Sequence, residues 1–187
     1  MSAIIFIVNA LLQYLLVTAF LLRVLLPLAR ANMRNPLCQA VLRVTSPLVM
    51  PLRKVFPPIG RVDTASIIAL ILVQLVTTLI INLLSGFIGT PLGIGLRVVF
   101  MILDSTLQLY TLCIFIYVLL SYIAPGTYSP GRELLESLCE PMLRPVRRLI
   151  PPIAQIDFTP VFVLIGLQAL QRFALPGLYE SLLRALA

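Results

Sequence analysis

Apolar residues fill four stretches of the chain, at about residues 4–26, 64–85, 98–120 and 159–179, and none of them alternates with period two. Runs of this length read as helices. Between Thr64 and Ser85 there is no charge over 22 residues. At 1.5 Å per residue that is about 33 Å of helix, matching a hydrocarbon core of about 30 Å. Amides cannot go unpaired in lipid, so helices are expected to cross it. The fold class this predicts is an all-α membrane protein with four transmembrane helices.

Composition sharpens that reading. The chain has 187 residues, 60% of them apolar and only 11% charged, with a mean hydropathy of +1.05. Soluble domains average about 45–50% apolar and about 25% charged. The formal net charge is +7, from 14 Lys/Arg against 7 Asp/Glu, and Lys54 is the only lysine. Ten of those cations lie in two connections: Arg30, Arg34, Arg43, Arg53, Lys54 and Arg61 within 27–62, and Arg132, Arg144, Arg147 and Arg148 within 123–156. Basic short loops set orientation. Both connections are therefore expected in the cytoplasm and both termini outside, in a bacterial inner membrane. The excess charge is better explained by this bias and by anionic headgroups than by nucleic acid. No cleavable leader is read, because no basic segment precedes the first apolar run.

Shifting the chain by 94 residues aligns the two connections without gaps. Pro36, Pro47 and Pro51 fall on Pro130, Pro141 and Pro145, and Pro57-Pro58 on Pro151-Pro152. Arg53 falls on Arg147, Lys54 on Arg148 and Asp63 on Asp157. The expected organisation is thus two repeats, 1–93 and 94–187, each a span, a basic hairpin and a second span. An even number of spans per unit makes the copies parallel.

The connections have readable mechanics. Asn35-Pro36 and Ser129-Pro130 look like an N-cap followed by proline at the first helical position. Leu37, Val41, Val44 and Leu48, and in the second copy Leu134, Leu135, Leu138 and Met142, form a stripe at helical spacing. Arg132, Glu133, Glu136 and Glu140 oppose it in the second copy. Each is expected to be an interfacial amphipathic helix bounded by Pro47 or Pro141. The pattern P-x-R-[KR]-x-x-P-P follows, a stiff hairpin holding Arg53 and Lys54, or Arg147 and Arg148, at headgroup height as a lipid- or partner-binding site. Asp63 and Asp157 stand where helix N-caps are expected, satisfying orphan amides at the positive end of the next span.

Those residues carry a resemblance. The segment Asn35-Pro36, Thr45-Ser46-Pro47, Pro51-Leu52-Arg53-Lys54, Pro57-Pro58-Ile59-Gly60 and Val62-Asp63-Thr64-Ala65-Ser66 resembles the YggT family, and 129–160 repeats it. Arg23 stands where that family places an arginine near the end of its first span, with Tyr117 as its counterpart in the second copy. The resemblance implies an integral inner-membrane protein without an assigned catalytic activity. It also implies one of several roles linked to relatives: osmotic-stress tolerance with potassium uptake, cell division, or, in plastids, cytochrome assembly.

Candidate chemistry is sparse. There is no His, which removes the commonest general base, metal ligand and haem ligand together. Cys38, Cys113 and Cys139 have no metal or disulfide spacing and read as reduced thiols. The Gly-rich connection 86–96 lacks the lysine and spacing of a phosphate loop. No catalytic residue, metal site or cofactor is expected. Within the spans, Asp104 and Arg172 fall at similar depth and are expected to form an intramembrane charge pair, the alternative being Asp104 with Arg97 on its own helix. Arg23 is expected to snorkel to the boundary. Gln13, Gln74, Asn82, Gln108, Gln168 and Gln171 read as interhelical hydrogen bonds. The leading functional expectation is a non-enzymatic assembly or stress-adaptation factor. Its expected partners are anionic phospholipid and a membrane or cytoplasmic protein, with a homo-oligomer as a further option. The alternative is a small ion transporter or channel element working as an oligomer.

Overall fold

The computed structural model describes residues 3–59, 63–87, 89–123, 128–149 and 157–186. Within them the chain forms six helices: α1 (Ala3–Leu28), α2 (Pro36–Val55), α3 (Thr64–Ser85), α4 (Pro91–Ile123), α5 (Pro130–Leu149) and α6 (Thr159–Ala185). Four of these, α1, α3, α4 and α6, are long and apolar enough to cross a bilayer. Gly60, Arg61, Val62 and Pro151-Pro152, singled out above, lie outside the described residues.

Helix starts follow local chemistry. The Asn35 side chain accepts from the Leu37 amide at 3.0 Å, and Pro36 takes the first position of α2, where its missing N–H costs nothing. Ser129 Oγ accepts from the Arg132 amide at 3.2 Å at the start of α5. Thr90 does the same for Gly93 ahead of Pro91, so α4 begins inside the connection read as an open Gly-rich loop. A Thr-Pro start outweighs two helical glycines there. At the end of α3, Gly86 adopts φ +67°, and the Phe87 and Gly86 amides reach the Asn82 and Leu83 carbonyls. This closes the helix in a Schellman turn that only glycine enters without strain.

Two expectations about α2 and α5 change. Neither helix stops at Pro47 or Pro141; each runs through two prolines to Val55 and Leu149. Pro47 cannot bond the Arg43 carbonyl, yet Thr45 and Ser46 donate their hydroxyls to the Val41 and Leu42 carbonyls and tie that turn together. The expected stripe holds in α5, where Leu138 is buried and Leu134, Leu135 and Met142 pack against the core, whereas in α2 only Val41 does so and the fully buried line takes in other positions. In α2 it is Cys38, Thr45 and Val49, and in α5 Leu138, Cys139 and Leu143. Val44 and Leu48 instead face outward. The helix presses one line against the neighbouring spans, which leaves the rest of its apolar surface for other contacts.

α3 and α4 pack on each other at the centre, with α1 against α3 and α6 against α4. The hairpin helices α2 and α5 seat on the ends of these spans and touch each other. The main core lies at that end, joining Phe20, Leu21 and Leu26 to Ala65, Ala69, Ile114, Leu138 and Leu143. Small Ala65 and Ala69 on α3 let helix backbones approach closely.

A polar cluster bridges three spans in their middle. Gln13 Nε2 donates to Gln74 Oε1 at 3.2 Å and to Ser105 Oγ at 2.6 Å. Gln74 is fully buried and also lies beside Thr78 and the Met101 sulfur. Gln13 sits in a π-helical stretch, Leu11–Val17, which offsets its register from the α-helical turns on either side. Gln74→Leu removes one arm of this cluster and is expected to cost about 0.6–1.7 kcal/mol, read as a lower midpoint of SDS-driven unfolding in mixed micelles.

Candidate functional site

The sequence-predicted hairpin residues converge at the end of the bundle where α2 and α5 dock. Arg53, in the last turn of α2, forms an ion pair from Nη2 to Asp63 Oδ2, just before α3. Arg147, in the last turn of α5, reaches Asp157 Oδ2 from Nε at 2.8 Å and Glu140 Oε2 from Nη1 at 3.2 Å. Each arginine thus grips the aspartate ten residues on, closing the hairpin against the helix that follows. Lys54 and Arg148, adjacent to the gripping arginines, are exposed.

Asp63 serves this grip rather than an N-cap. Its side chain makes no cap hydrogen bond to α3; Oδ2 is taken by Arg53 and by the Ser66 hydroxyl at 2.7 Å, while Oδ1 is buried and accepts no hydrogen bond. Burial pushes this carboxyl up. Hydrogen bonds from Ser66 and Arg53, with the charges of Arg53 and Arg23, outweigh burial and hold it below the ordinary carboxylate range. Asp157 combines two contacts, since its Oδ1 accepts from the Thr159 amide at 2.9 Å while Oδ2 holds Arg147. Burial raises its carboxyl too, and the bonds from Thr159 and Arg147 bring it below the ordinary range.

Arg23 does not snorkel. It is 4% exposed and sits among α1, α2 and α3. Nε donates to Ser66 Oγ at 3.0 Å, and Nη1 to the Leu42 carbonyl at 3.0 Å, Thr45 Oγ1 at 2.7 Å and Ser46 Oγ at 3.3 Å. A guanidinium forks in this way and an ammonium cannot. The carbonyl it reaches belongs to the turn that Pro47 interrupts. Ser66 links the two networks, so Arg23, Ser66, Asp63 and Arg53 form one chain of contacts. At the position of Arg23 shifted by 94, Tyr117 bears on Arg147 instead.

A second junction joins the starts of α2 and α5. Asn35 Nδ2 donates to the Pro130 carbonyl at 2.7 Å and to Glu133 at 3.2 Å. Glu133 also accepts from Asn32 at 2.9 Å and from the Tyr128 hydroxyl at 2.9 Å. Hydrogen bonds from Asn32 and Tyr128, with Asn35, lower its carboxyl despite slight desolvation. Sequence reading assigned Asn35 the cap alone; its amide group has a free donor end, which is the signal that could have indicated a second partner. The cysteines are free and buried, and burial pushes the Cys139 thiol on α5 up to about 12.

Comparison with known proteins decides the family. The model of the CCB3/YggT family matches residues 1–84 and 96–178. The chain belongs to the CCB3/YggT family. An uncharacterised protein of Pseudomonas aeruginosa is 36% identical over 168 residues, covering 88% of this chain and 84% of that protein. The uncharacterised protein YggT of Escherichia coli K12 is 31% identical over 182 residues, covering 87% and 90% respectively. No solved structure matches. In this member of the CCB3/YggT family both basic hairpins lie within the matched segments, as do Asp63, Asp157, Asp104 and Arg172.

The two charges expected to pair, Asp104 and Arg172, do not meet in the structure. Asp104 Oδ1 accepts from Gln171 Nε2 at 2.9 Å. Among the described residues Arg172 forms no ion pair with it. Gln171 faces α4, while Arg172, the next residue, is exposed. Arg97 turns instead to Asn82 Oδ1 at 2.9 Å and lies 6.0 Å over the Phe87 ring.

Two outcomes are expected. Ser66→Ala leaves the Arg23 Nε–H buried without an acceptor and is expected to cost about 1–3 kcal/mol, measured by thermal unfolding in detergent. For Asp63 and Asp157 the folded pKa lies below the unfolded value of about 3.9. Their contribution is therefore present above pH 4 and lost as pH falls through the folded value. Unfolding temperature should stay level from pH 7 to about pH 5 and drop below about pH 4, and the drop should shrink in the Asp63→Asn/Asp157→Asn double variant.

Proposed function

We propose that this chain is a non-enzymatic bacterial inner-membrane protein acting as an assembly or stress-adaptation factor. It presents two basic hairpins at the cytoplasmic surface to anionic phospholipid and to a membrane or cytoplasmic protein. In this reading the chain is two parallel span–hairpin–span repeats with both termini outside.

One observation carries the proposal: the Arg53–Asp63 and Arg147–Asp157 ion pairs recur at the same spacing in both hairpins. Each pins the last turn of its hairpin helix to the next span. The neighbouring Lys54 and Arg148 are thereby held at fixed places, side chains exposed. The four basic residues divide into two tasks, with Arg53 and Arg147 fixing the elbow and Lys54 and Arg148 meeting the ligand. A cation near an anionic surface contributes about 1 kcal/mol. The family match and the shared identity with bacterial YggT proteins support a common role across these relatives.

The test compares two double variants in nanodiscs containing phosphatidylglycerol, with retained lipid counted by native mass spectrometry and captured neighbours identified by crosslinking in native membranes. Lys54→Gln/Arg148→Gln should weaken phosphatidylglycerol retention about 30-fold, the equivalent of about 2 kcal/mol, and lose crosslinked partners with thermal stability unchanged. Arg53→Gln/Arg147→Gln should lower thermal stability first. Unchanged retention and an unchanged set of captured proteins in the Lys54/Arg148 variant would overturn the proposal.

A further inference from the structure

At the opposite end of the spans from the hairpins, α4 and α6 line a cleft of about 380 Å³. That volume lies within the range of small-molecule sites. Its walls are largely apolar: Phe100 and Met101 from α4, Leu175 and Tyr179 from α6. The Phe100 and Tyr179 rings meet edge to face at 5.2 Å.

The cleft contains one carboxylate, Asp104, and it is only half satisfied. Oδ1 accepts from Gln171, and among the described residues Oδ2 accepts no hydrogen bond. The cations that could neutralise it are engaged or turned away. Arg97 lines the outer rim of the cleft, but its guanidinium is drawn towards α3 by Asn82 and Phe87. Arg172 is exposed and makes no ion pair among the described residues.

Gln171 owes its position to a π-helical stretch, Leu170–Ala174, in the middle of α6. Such insertions displace side chains from α-helical register and are frequent at functional sites. Here the stretch presents an amide to the carboxylate, and Phe100 and Tyr179 line the same cleft. An anionic group in a membrane-crossing helix calls for a counter-charge. Aromatic faces within about 6 Å of a cation attract it further.

We propose that this cleft binds an ammonium group carried on an apolar body, with Asp104 Oδ2 as its counter-ion and Phe100 and Tyr179 as its walls. Free amphiphilic amines and the headgroup of phosphatidylethanolamine share this chemistry. The inference is independent of the hairpin function, because no hairpin residue lines the cleft.

Ethidium serves as the probe, with binding to the intact protein in dodecylmaltoside followed by fluorescence anisotropy. Saturable binding is expected, weakened at least tenfold by Asp104→Asn and unchanged by Glu180→Gln, which removes a carboxylate outside the cleft. Displacement of ethidium by a short-chain phosphatidylethanolamine would assign the ammonium to a lipid headgroup, and failure to displace would assign it to a free amphiphile. Absence of saturable binding, or equal affinity in wild type and a stably folded Asp104→Asn variant, would overturn the proposal.

Discussion

An arginine at the end of one helix holding an aspartate at the start of the next is the contact on which this architecture turns. Between each hairpin helix and the long apolar helix that follows it the sequence places a Pro-Pro pair. Arg53 and Asp63, and again Arg147 and Asp157, tie the end of one helix to the start of the next with a side-chain pair. In isolation an exposed pair contributes about 0–1 kcal/mol. The first pair gains from its surroundings, because Asp63 is largely buried and connects through Ser66 to the buried Arg23. Arg23 in turn anchors α1 to the interrupted turn of α2, so three helices depend on one aspartate.

The two halves meet the same need with different residues. Near Asp63 the supporting cation is Arg23, satisfied by hydroxyls and a carbonyl. Near Asp157 that place is held by Tyr117, and Glu140 supplies a second carboxylate to Arg147. Shifted by 94 residues, Glu140 falls on Ser46, itself an acceptor for Arg23. The second half has a tyrosine in place of the cation and a carboxylate in place of the hydroxyl acceptor, while the aspartate and its arginine stayed.

Much of this was legible in the sequence, for definite reasons. Four helices long enough to cross a bilayer follow from apolar length, and the hairpin helices begin where Asn35-Pro36 and Ser129-Pro130 place them. Their ends were misread because a proline stop is a local rule. Thr45 and Ser46 supply side-chain bonds to the turn ahead of Pro47, and the helix continues. Burial of Arg23 was hidden because its acceptors lie 19 to 43 residues away and include a backbone carbonyl. Matching depth suggested Arg172 for Asp104. Depth says nothing about azimuth, and a π-helical stretch presented Gln171 instead.

Burial of the three native thiols has a practical consequence. Cys38, Cys113 and Cys139 are all enclosed, and desolvation holds the Cys38 and Cys139 sulfurs in the protonated, unreactive form at neutral pH. The natural chain is therefore its own silent background for maleimide chemistry. A single new thiol placed on either elbow would report, from one side of the membrane or the other, which compartment that elbow occupies.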